Sequence, residues 1–445
     1  MVSLIYHKLK EKYRGKKVLV VGLGLLGGGL GVTKFFSEIG AYVVVNDKKK
    51  EEDLLSSIKK LEGFKNIDLH LGGHFIEDFL KADLIFKGPS VPWDLPEIIE
   101  ALKKGIPVEM EMAFVAKHFP GKIIGITGTR GKSTTTSMIY SLLKEFKDEV
   151  FFGGGLPGIS TIEYLKKASK NSWLVAELSS WSLSGFHRSE ISPHIAVFTN
   201  FYPDHLDYYK NLDDYFYDKV AIFLYQKKDD FLIINEKLRS QIEKYPSLGK
   251  KIYFKKNDFP EKLNFLVGHH NLENAAACLK VAKILNLSEK KAVEVIKNFS
   301  GLPFRLQKVI EKNGILFIND ATSTTPVAAE IAISTFSQKK IVLILGGDSK
   351  NLPFDGLVKK LASVEKIVLL FGSFTQQIMP ILSQNYKDKC VGPFNNLEKA
   401  VKEAYRNALS LKRAIVLFSP AATSFSIFKN EFHRGEEFNR IISQL

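Results

Sequence analysis

The chain has 445 residues, more than one ordinary core holds, so two to four domains are expected. A hydrophobic fraction of 45% and a charged fraction of 25% are those of a soluble globular protein. No apolar run approaches the ~18 residues of a membrane span, and Cys278 and Cys390 are too few for a disulfide framework or a cysteine metal site. The net charge of +15 favours phosphate-rich ligands. Its lysines are dispersed, however, without zinc-finger spacing or an aromatic RNA-binding signature, which argues against nucleic acid. Residues 1–17 are polar and basic without a signal-peptide core, so a cytoplasmic location is expected.

The first block opens with an apolar strand, Lys17–Gly22, running into Gly22-Leu-Gly24-Leu25-Leu26-Gly27-Gly-Gly. A helix is expected near Val32 to Ile39, then a strand, Tyr42–Val45, ending at Asn46-Asp47. Strand, G-x-G-x-x-G, helix, strand and an acid about twenty residues on form a dinucleotide fingerprint. Taken alone, it fits NAD, another pyrophosphate ligand or a plain tight turn. Residues 82–86 and 106–108 read as further short strands.

The second block carries the most specific signal. The β-prone run Lys122–Thr127 precedes Gly128-Thr129-Arg130-Gly131-Lys132-Ser133-Thr134-Thr135, and helical spacing follows. Glycines free backbone N–H groups to face an anion, and a helix N-terminus adds positive potential. Lys132 can reach β- and γ-phosphates, and the Ser133 hydroxyl can reach Mg²⁺. Further strands are expected at Trp173–Glu177 and Ile195–Asn200, and helices at 213–224 and 271–285. Glu177, at the end of an apolar strand, is placed to hold a cation. Tyr202-Pro-Asp-His205-Leu-Asp207 offers a second metal ligand or a positioning histidine. Lys219, judged by its residue type in a helix, reads as a surface lysine.

A third block begins near Gly301, with strands at 315–319, 341–345, 366–370 and 414–418 separated by helical segments. Alternating strands and helices throughout predict an α/β protein with mainly parallel sheets. Three domains are expected: a Rossmann-like domain at 1–117, a P-loop-type ATPase domain at 118–302 and a second Rossmann-like domain at 303–445.

Together these motifs resemble the Mur ligases, ATP-dependent amide-forming enzymes of peptidoglycan precursor synthesis, over essentially the whole chain. Residues 128–135 look like their ATP loop, Glu177-Leu-Ser-Ser180 like the metal-binding segment, and Asn200–Asp207 like the N-x-x-x-D-H-L-D loop. Asp218-Lys219 resembles the segment of a carbamylated lysine. Gly268-His-His-Asn271-Leu-Glu-Asn274 resembles the adenine-side motif, Leu302-Pro-Phe-Arg305 the L-P-x-R turn, and Asn319-Asp320 the ribose-side acid. Gly346-Gly-Asp-Ser-Lys350 and Ser419–Gly435 are similar to the segments of members that use D-glutamate.

The resemblance implies an ADP-forming ligase that joins D-glutamate to UDP-N-acetylmuramoyl-L-alanine through an acyl phosphate, acting as a monomer. ATP would meet Gly128, Thr129, Arg130, Gly131, Lys132, Ser133, Thr134, Asn271, Asn274, Arg305 and Asp320. Two Mg²⁺ ions would be held by Ser133, Glu177, His205 and carbamylated Lys219. Of these, Lys132, Glu177, His205 and Lys219 would carry catalysis. Gly24, Leu25, Leu26 and Asp47 would bind the UDP substrate, with the Gly22–Gly31 loop around its pyrophosphate. Thr324, Lys350, Ser424 and Phe425 would bind the amino acid. The chain departs from the family pattern at Arg130, Tyr208, Gly155, Thr322, Ser426 and the glycine-rich run Gly27–Gly31. Other Mur-type or folate-type ligases, and an NAD-binding protein, remain alternatives at this point.

Overall fold

The computed structural model describes residues 3–24, 27–154, 160–205, 208–266, 268–411, 413–424 and 428–445. Its strands form three sheets, each built from one stretch of sequence.

The first sheet holds β1 (Lys17–Val21), β2 (Tyr42–Asp47), β3 (Ile67–Leu71), β4 (Leu84–Lys87) and β5 (Val108–Glu109) in the order β3-β2-β1-β4-β5, all parallel. The order reverses between β1 and β4, and the crevice at that switch point is where open α/β sheets receive ligands. The helix after β1 spans Gly28–Glu38, four residues earlier than the sequence suggests. Glycine is the reason: a Cβ on Gly29 would lie 2.1 Å from the Gly22 carbonyl oxygen, so the helix can start against the strand end only without side chains.

The second sheet holds β6 (Lys122–Thr127), β7 (Val150–Gly153), β8 (Trp173–Glu177), β9 (Ile195–Phe198), β10 (Phe231–Asn235) and β11 (Lys250–Phe254), ordered β11-β10-β9-β6-β8-β7 and again parallel. Central β6 is flanked by β8 and β9, so the glycine loop after β6 lies beside the ends of both neighbours. The third sheet holds β12 (Gln307–Lys312), β13 (Ile315–Asn319), β14 (Lys340–Gly346), β15 (Lys366–Leu370), β16 (Cys390–Phe394) and β17 (Ala414–Phe418). Its order is β12-β13-β17-β14-β15-β16, and only edge strand β12 runs antiparallel.

Strands buried on both faces read as unbroken apolar runs, and Ile341–Leu345 and Ala414–Phe418 are each at most 2% exposed. The chain divides into two compact units. One comprises Met1–Pro203, Asn211–Lys262 and Leu272–Lys297, the other Asp204–Lys210, Leu263–Asn271 and Asn298–Leu445. Within the first unit a continuous core joins the first two sheets. Val20, Phe36 and Phe86 belong to the same cluster as Phe114, Leu174 and Phe198. No helix among the described residues is long and apolar enough to cross a membrane.

Candidate active site

The loop Gly128–Gly131 is shaped by its glycines and fastened by the strand beside it. Gly128 and Gly131 have φ of +142° and +78°, in the region L side chains avoid. Gly128 also lies against β9's extension, since a Cβ there would sit 2.0 Å from Thr199 Oγ1. The extension then binds the loop repeatedly. Thr129 N donates to Asn200 O at 3.0 Å and Arg130 N to Asn200 Oδ1 at 2.8 Å. Thr199 Oγ1 and Asn200 Nδ2 donate to Arg130 O at 2.8 and 2.9 Å. Thr129 Oγ1 accepts from Tyr202 N at 3.0 Å. These bonds fix the backbone of Thr129 and Arg130 against the strand extension. Arg130, where the family pattern has asparagine, turns Nη1 back onto Thr129 O at 3.3 Å.

The helix Lys132–Lys144 starts directly at Gly131, with Ser133 6% exposed and Thr134 in its first turn. Asn274 reaches the same corner: a Cβ on Gly131 would lie 2.6 Å from its Oδ1. Lys132 Nζ folds over the loop and donates to Gly128 O at 3.0 Å and Thr129 O at 3.1 Å.

Lys219, on the helix Leu212–Leu224, corrects the surface reading of its residue type, for it is 1% exposed. Its Nζ donates to Gly128 O at 3.1 Å and stands 4.7 Å from the Tyr215 ring centroid. Glu177 ends β8 beside this loop, with Leu178 N bonded to Ile126 O and Thr127 Oγ1 to Leu178 O at 2.8 Å. Its Oε2 is buried without a hydrogen-bond partner among the described residues. A carboxylate oxygen in that state is costly unless a cation completes it. No group of three His, Cys, Asp or Glu that could hold a metal occurs among the described residues. Glu177 and Ser133, with phosphate oxygens from a ligand, fit the way Mg²⁺ is usually held, by one or two carboxylates and phosphates.

The second unit holds His205, Asn271, Arg305, Asp320, Thr324, Lys350 and Ser424. His205 adopts φ +55°, its N–H donates to Asp204 Oδ1 at 3.0 Å, and its Nε2 lies 3.8 Å from Asp204 Oδ2. Asn271 is 5% exposed, its N–H on Gly268 O at 3.1 Å. Asp320 follows β13 and is 7% exposed. Ser419 Oγ donates to its Oδ2 at 2.8 Å and Leu306 N to its Oδ1 at 3.1 Å. Burial pushes its carboxyl up to about 7, against the pull of those hydrogen bonds and of the Arg305 and Arg434 charges. Thr322, where the family pattern has lysine, instead fastens the Leu302–Arg305 turn, its N–H and Oγ1 donating to Phe304 O at 3.2 and 2.8 Å.

Of the residues expected to bind the amino acid, Thr324, Lys350 and Ser424 follow the ends of β13, β14 and β17. Lys350 Nζ donates to Thr324 Oγ1 at 3.4 Å. The loops after β14 and β17 are zipped by Asp348 N to Thr423 O at 3.1 Å and Thr423 N to Asp348 O at 2.9 Å. Ser424 is 4% exposed, with Oγ lacking a partner among the described residues. Beneath them lies Arg434, 1% exposed and given no role by the sequence reading. It donates to Ala321 O at 2.6 Å, Ala422 O at 3.1 Å and Thr423 O at 3.2 Å, joining the post-β13 and post-β17 loops. Its signal in the sequence is its place at the end of the Ser419–Gly435 segment.

On the first sheet, Gly24 has φ +62° and donates its N–H to Asp47 Oδ2 at 3.2 Å, and Asp47 Oδ1 accepts from Lys49 N at 2.9 Å. Asp47 thus braces the glycine loop. Of the expected Gly22–Gly31 cradle, residues 28–31 are helical, which narrows the loop to Gly22–Gly27. Leu25, Leu26, Gly155, Asp207, Phe425 and Ser426 lie outside the described residues.

A pinned glycine loop, two lysines at its carbonyls and a buried, unpartnered carboxylate oxygen are chemistry suited to a phosphate and a cation. Residues 126–262 match the Mur ligase middle domain and residues 16–109 the Mur ligase MurD-like N-terminal domain. Thermotoga maritima UDP-N-acetylmuramate-alanine ligase MurC has a similar fold, with TM-score 0.62 and 21% identity over 97% of this chain and all of that one. So does a MurF ligase from the same organism, in complex with ADP, with TM-score 0.60 and 17% identity over 98% of this chain and 97% of that one. The sequence is 34% identical to a UDP-N-acetylmuramoylalanine–D-glutamate ligase of Roseiflexus sp., covering 96% of this chain and 98% of that protein. It is 33% identical to one from Clostridium botulinum, with 99% of each covered. The chain belongs to the Mur ligase family. Within it, the sequence stands with the UDP-N-acetylmuramoylalanine–D-glutamate ligases.

Proposed function

We propose that the chain is an ATP-dependent, ADP-forming ligase that adds D-glutamate to UDP-N-acetylmuramoyl-L-alanine in peptidoglycan precursor synthesis. The observation that carries this reading is the convergence of Lys132 and Lys219 on Gly128 O beside the unpaired Oε2 of Glu177. That corner gathers two cations and a carboxylate at the glycine loop, a set suited to a phosphate and its metal.

In the first step a carboxylate oxygen of the muramoyl substrate attacks the γ-phosphorus of ATP, the bond to the β-phosphate bridging oxygen breaks, and ADP leaves. In the second, the D-glutamate nitrogen attacks the acyl carbon, the tetrahedral intermediate expels phosphate, and the amine loses a proton. Both steps gather negative charge, which Lys132 and the amides of the helix Lys132–Lys144 stabilise. Ser133, Glu177, His205 and a carbamylated Lys219 are the proposed metal ligands, and Mg²⁺ supplies further charge neutralisation there.

Asn271, Asn274, Arg305 and Asp320 hold the nucleotide. Lys350 pairs with a glutamate carboxylate beside Thr324, Ser424 and Phe425, and Gly24, Leu25, Leu26 and Asp47 serve the UDP moiety. A three-domain division at 1–117, 118–302 and 303–445 belongs to this reading, supported by one sheet in each segment. The test is phosphate release from ATP with UDP-N-acetylmuramoyl-L-alanine and D-glutamate, compared with L-glutamate and other amino acids. Turnover only with another pair would refute D-glutamate specificity and favour a different Mur-type or folate-type ligase.

A further inference from the structure

Glu111 has no part in the chemistry above, yet it sits between the helix that follows the first glycine loop and residues 160–162. It opens the helix Glu111–His118, and its Oε1 accepts from Ser160 Oγ at 2.8 Å and from Ile162 N at 3.1 Å. Its Oε2 faces the first turn of the helix Gly28–Glu38, where a Cβ on Gly28 would stand 3.2 Å away. One turn on, a Cβ on Gly31 would lie 1.9 Å from Ser160 Oγ, so the serine occupies the space of a missing side chain. The extra glycines of this run therefore have a packing function: they admit Glu111 and Ser160 against the helix.

The same segment is held further along. Lys166 Nζ bonds Glu163 at 2.5 Å and also Glu38, at the far end of the Gly28–Glu38 helix. From Ser160 the path continues toward the metal corner. Thr161 Oγ1, on a residue 1% exposed, accepts from Gly154 N at 3.2 Å. Gly154, at φ +69°, lies so close to β8 that a Cβ would be 2.2 Å from Glu177 O. An unbroken set of contacts thus runs from the nucleotide-loop helix through Glu111 and residues 160–162 to Glu177.

We propose that Glu111 is a positioning residue, latching residues 160–162 to the Gly28–Gly31 turn so that the site for a nucleotide-linked carboxylate keeps a fixed spacing from Glu177. The substrate part of this inference rests on the ligase reading. A long substrate held by its nucleotide at one sheet and activated at the next reacts only if that spacing is kept, because acyl transfer is steeply sensitive to misplacement.

The experiment compares wild type with Glu111→Ala, Glu111→Gln and Gly31→Ala by steady-state kinetics and by amide hydrogen exchange of the whole chain. Glu111→Ala should raise the KM for UDP-N-acetylmuramoyl-L-alanine about tenfold or more and lower kcat, with the KM for ATP within about twofold of wild type. Glutamine keeps the oxygen that Ser160 and Ile162 use, so Glu111→Gln should recover most of the loss. Gly31→Ala, which displaces Ser160, should reproduce the alanine pattern. Exchange in residues 28–31 and 160–162 should quicken in Glu111→Ala and Gly31→Ala. Unchanged exchange there overturns the latch, whatever the enzyme's substrate. Wild-type-like kinetics in Glu111→Ala, a parallel rise of every KM, or no recovery by glutamine overturns the positioning role. Absence of wild-type turnover with these substrates refutes the ligase reading and the substrate part with it, while exchange still decides the latch.

Discussion

Lys132 and Lys219 donate to the same oxygen, the carbonyl of Gly128, at 3.0 and 3.1 Å. The two lysines come from different helices, and in the proposed ligase each takes a role that depends on charge state. A phosphate-bound Lys132 must stay cationic, while a carbamylated Lys219 must become anionic. Turnover in CO₂-depleted buffer is expected to fall, more so toward acid pH where the amine is protonated, and added bicarbonate should restore it. Lys219→Ala should lose on the order of a hundredfold or more in kcat and gain nothing from bicarbonate. Indifference of wild type to bicarbonate at every pH would argue against the carbamate.

Gly128 admits no side chain on two grounds, its φ of +142° and the 2.0 Å approach to Thr199 Oγ1. Gly128→Ala is expected to destabilise the first unit by about 2 kcal/mol or more and to abolish measurable ATP binding. Adding Thr199→Ala removes the closest clash, leaving the Asn200 backbone at 3.1 Å, and should recover some thermal stability without recovering nucleotide binding. Thermal unfolding and calorimetric titration with ATP would check both.

Lys350 has its ammonium near Thr324 Oγ1 at the ends of β14 and β13. Lys350→Met should raise the KM for D-glutamate at least about tenfold, with little change in the KM for ATP. Equal rises in both constants would place Lys350 outside the amino-acid site.

Arg434 supplies hydrogen bonds to the carbonyls of Ala321, Ala422 and Thr423. Arg434→Met fills similar space but leaves those buried acceptors unmet. A loss of roughly 3 kcal/mol in the stability of the second unit is expected in chemical denaturation.

Asp320 carries a pH signature. Its carboxyl is raised from 3.8 to about 7 by burial, so the folded protein binds a proton that the unfolded chain has released. Its contribution to stability is complete below about pH 3.8 and is lost as pH climbs toward 7, by up to roughly 4 kcal/mol. The stability difference between wild type and Asp320→Asn should therefore shift against wild type across that window. A pH-independent difference would show that the carboxyl titrates normally.

Most central strands were legible because both their faces are covered, although β10 (Phe231–Asn235), equally buried and apolar, was not read. Lys122–Thr127, Trp173–Glu177, Ile315–Asn319, Lys366–Leu370 and Ala414–Phe418 are apolar runs, and their bounds match the structure. Edge strands β3, β12 and β16 went unread because one face meets water. Ile67–Leu71 alternates half-buried and exposed residues, and Cys390–Phe394 contains glycine and proline. The phosphate loop declared itself because its chemistry needs neighbours in sequence. Lys219 was marked only by the resemblance and not by its residue type, since only the fold brings its amine to Gly128. Glu111 was missed for a similar reason: its partners lie near residues 28 and 160, and the one hint was a glycine run richer than a phosphate loop requires.

The bonds from Thr199, Asn200 and Tyr202 have one further consequence. A phosphate loop tied at Thr129 and Arg130 to the strand beside it behaves as an extension of the sheet. It retains its shape between turnovers, so the ordering entropy that a slack loop surrenders at every nucleotide arrival is here surrendered once, when the chain folds.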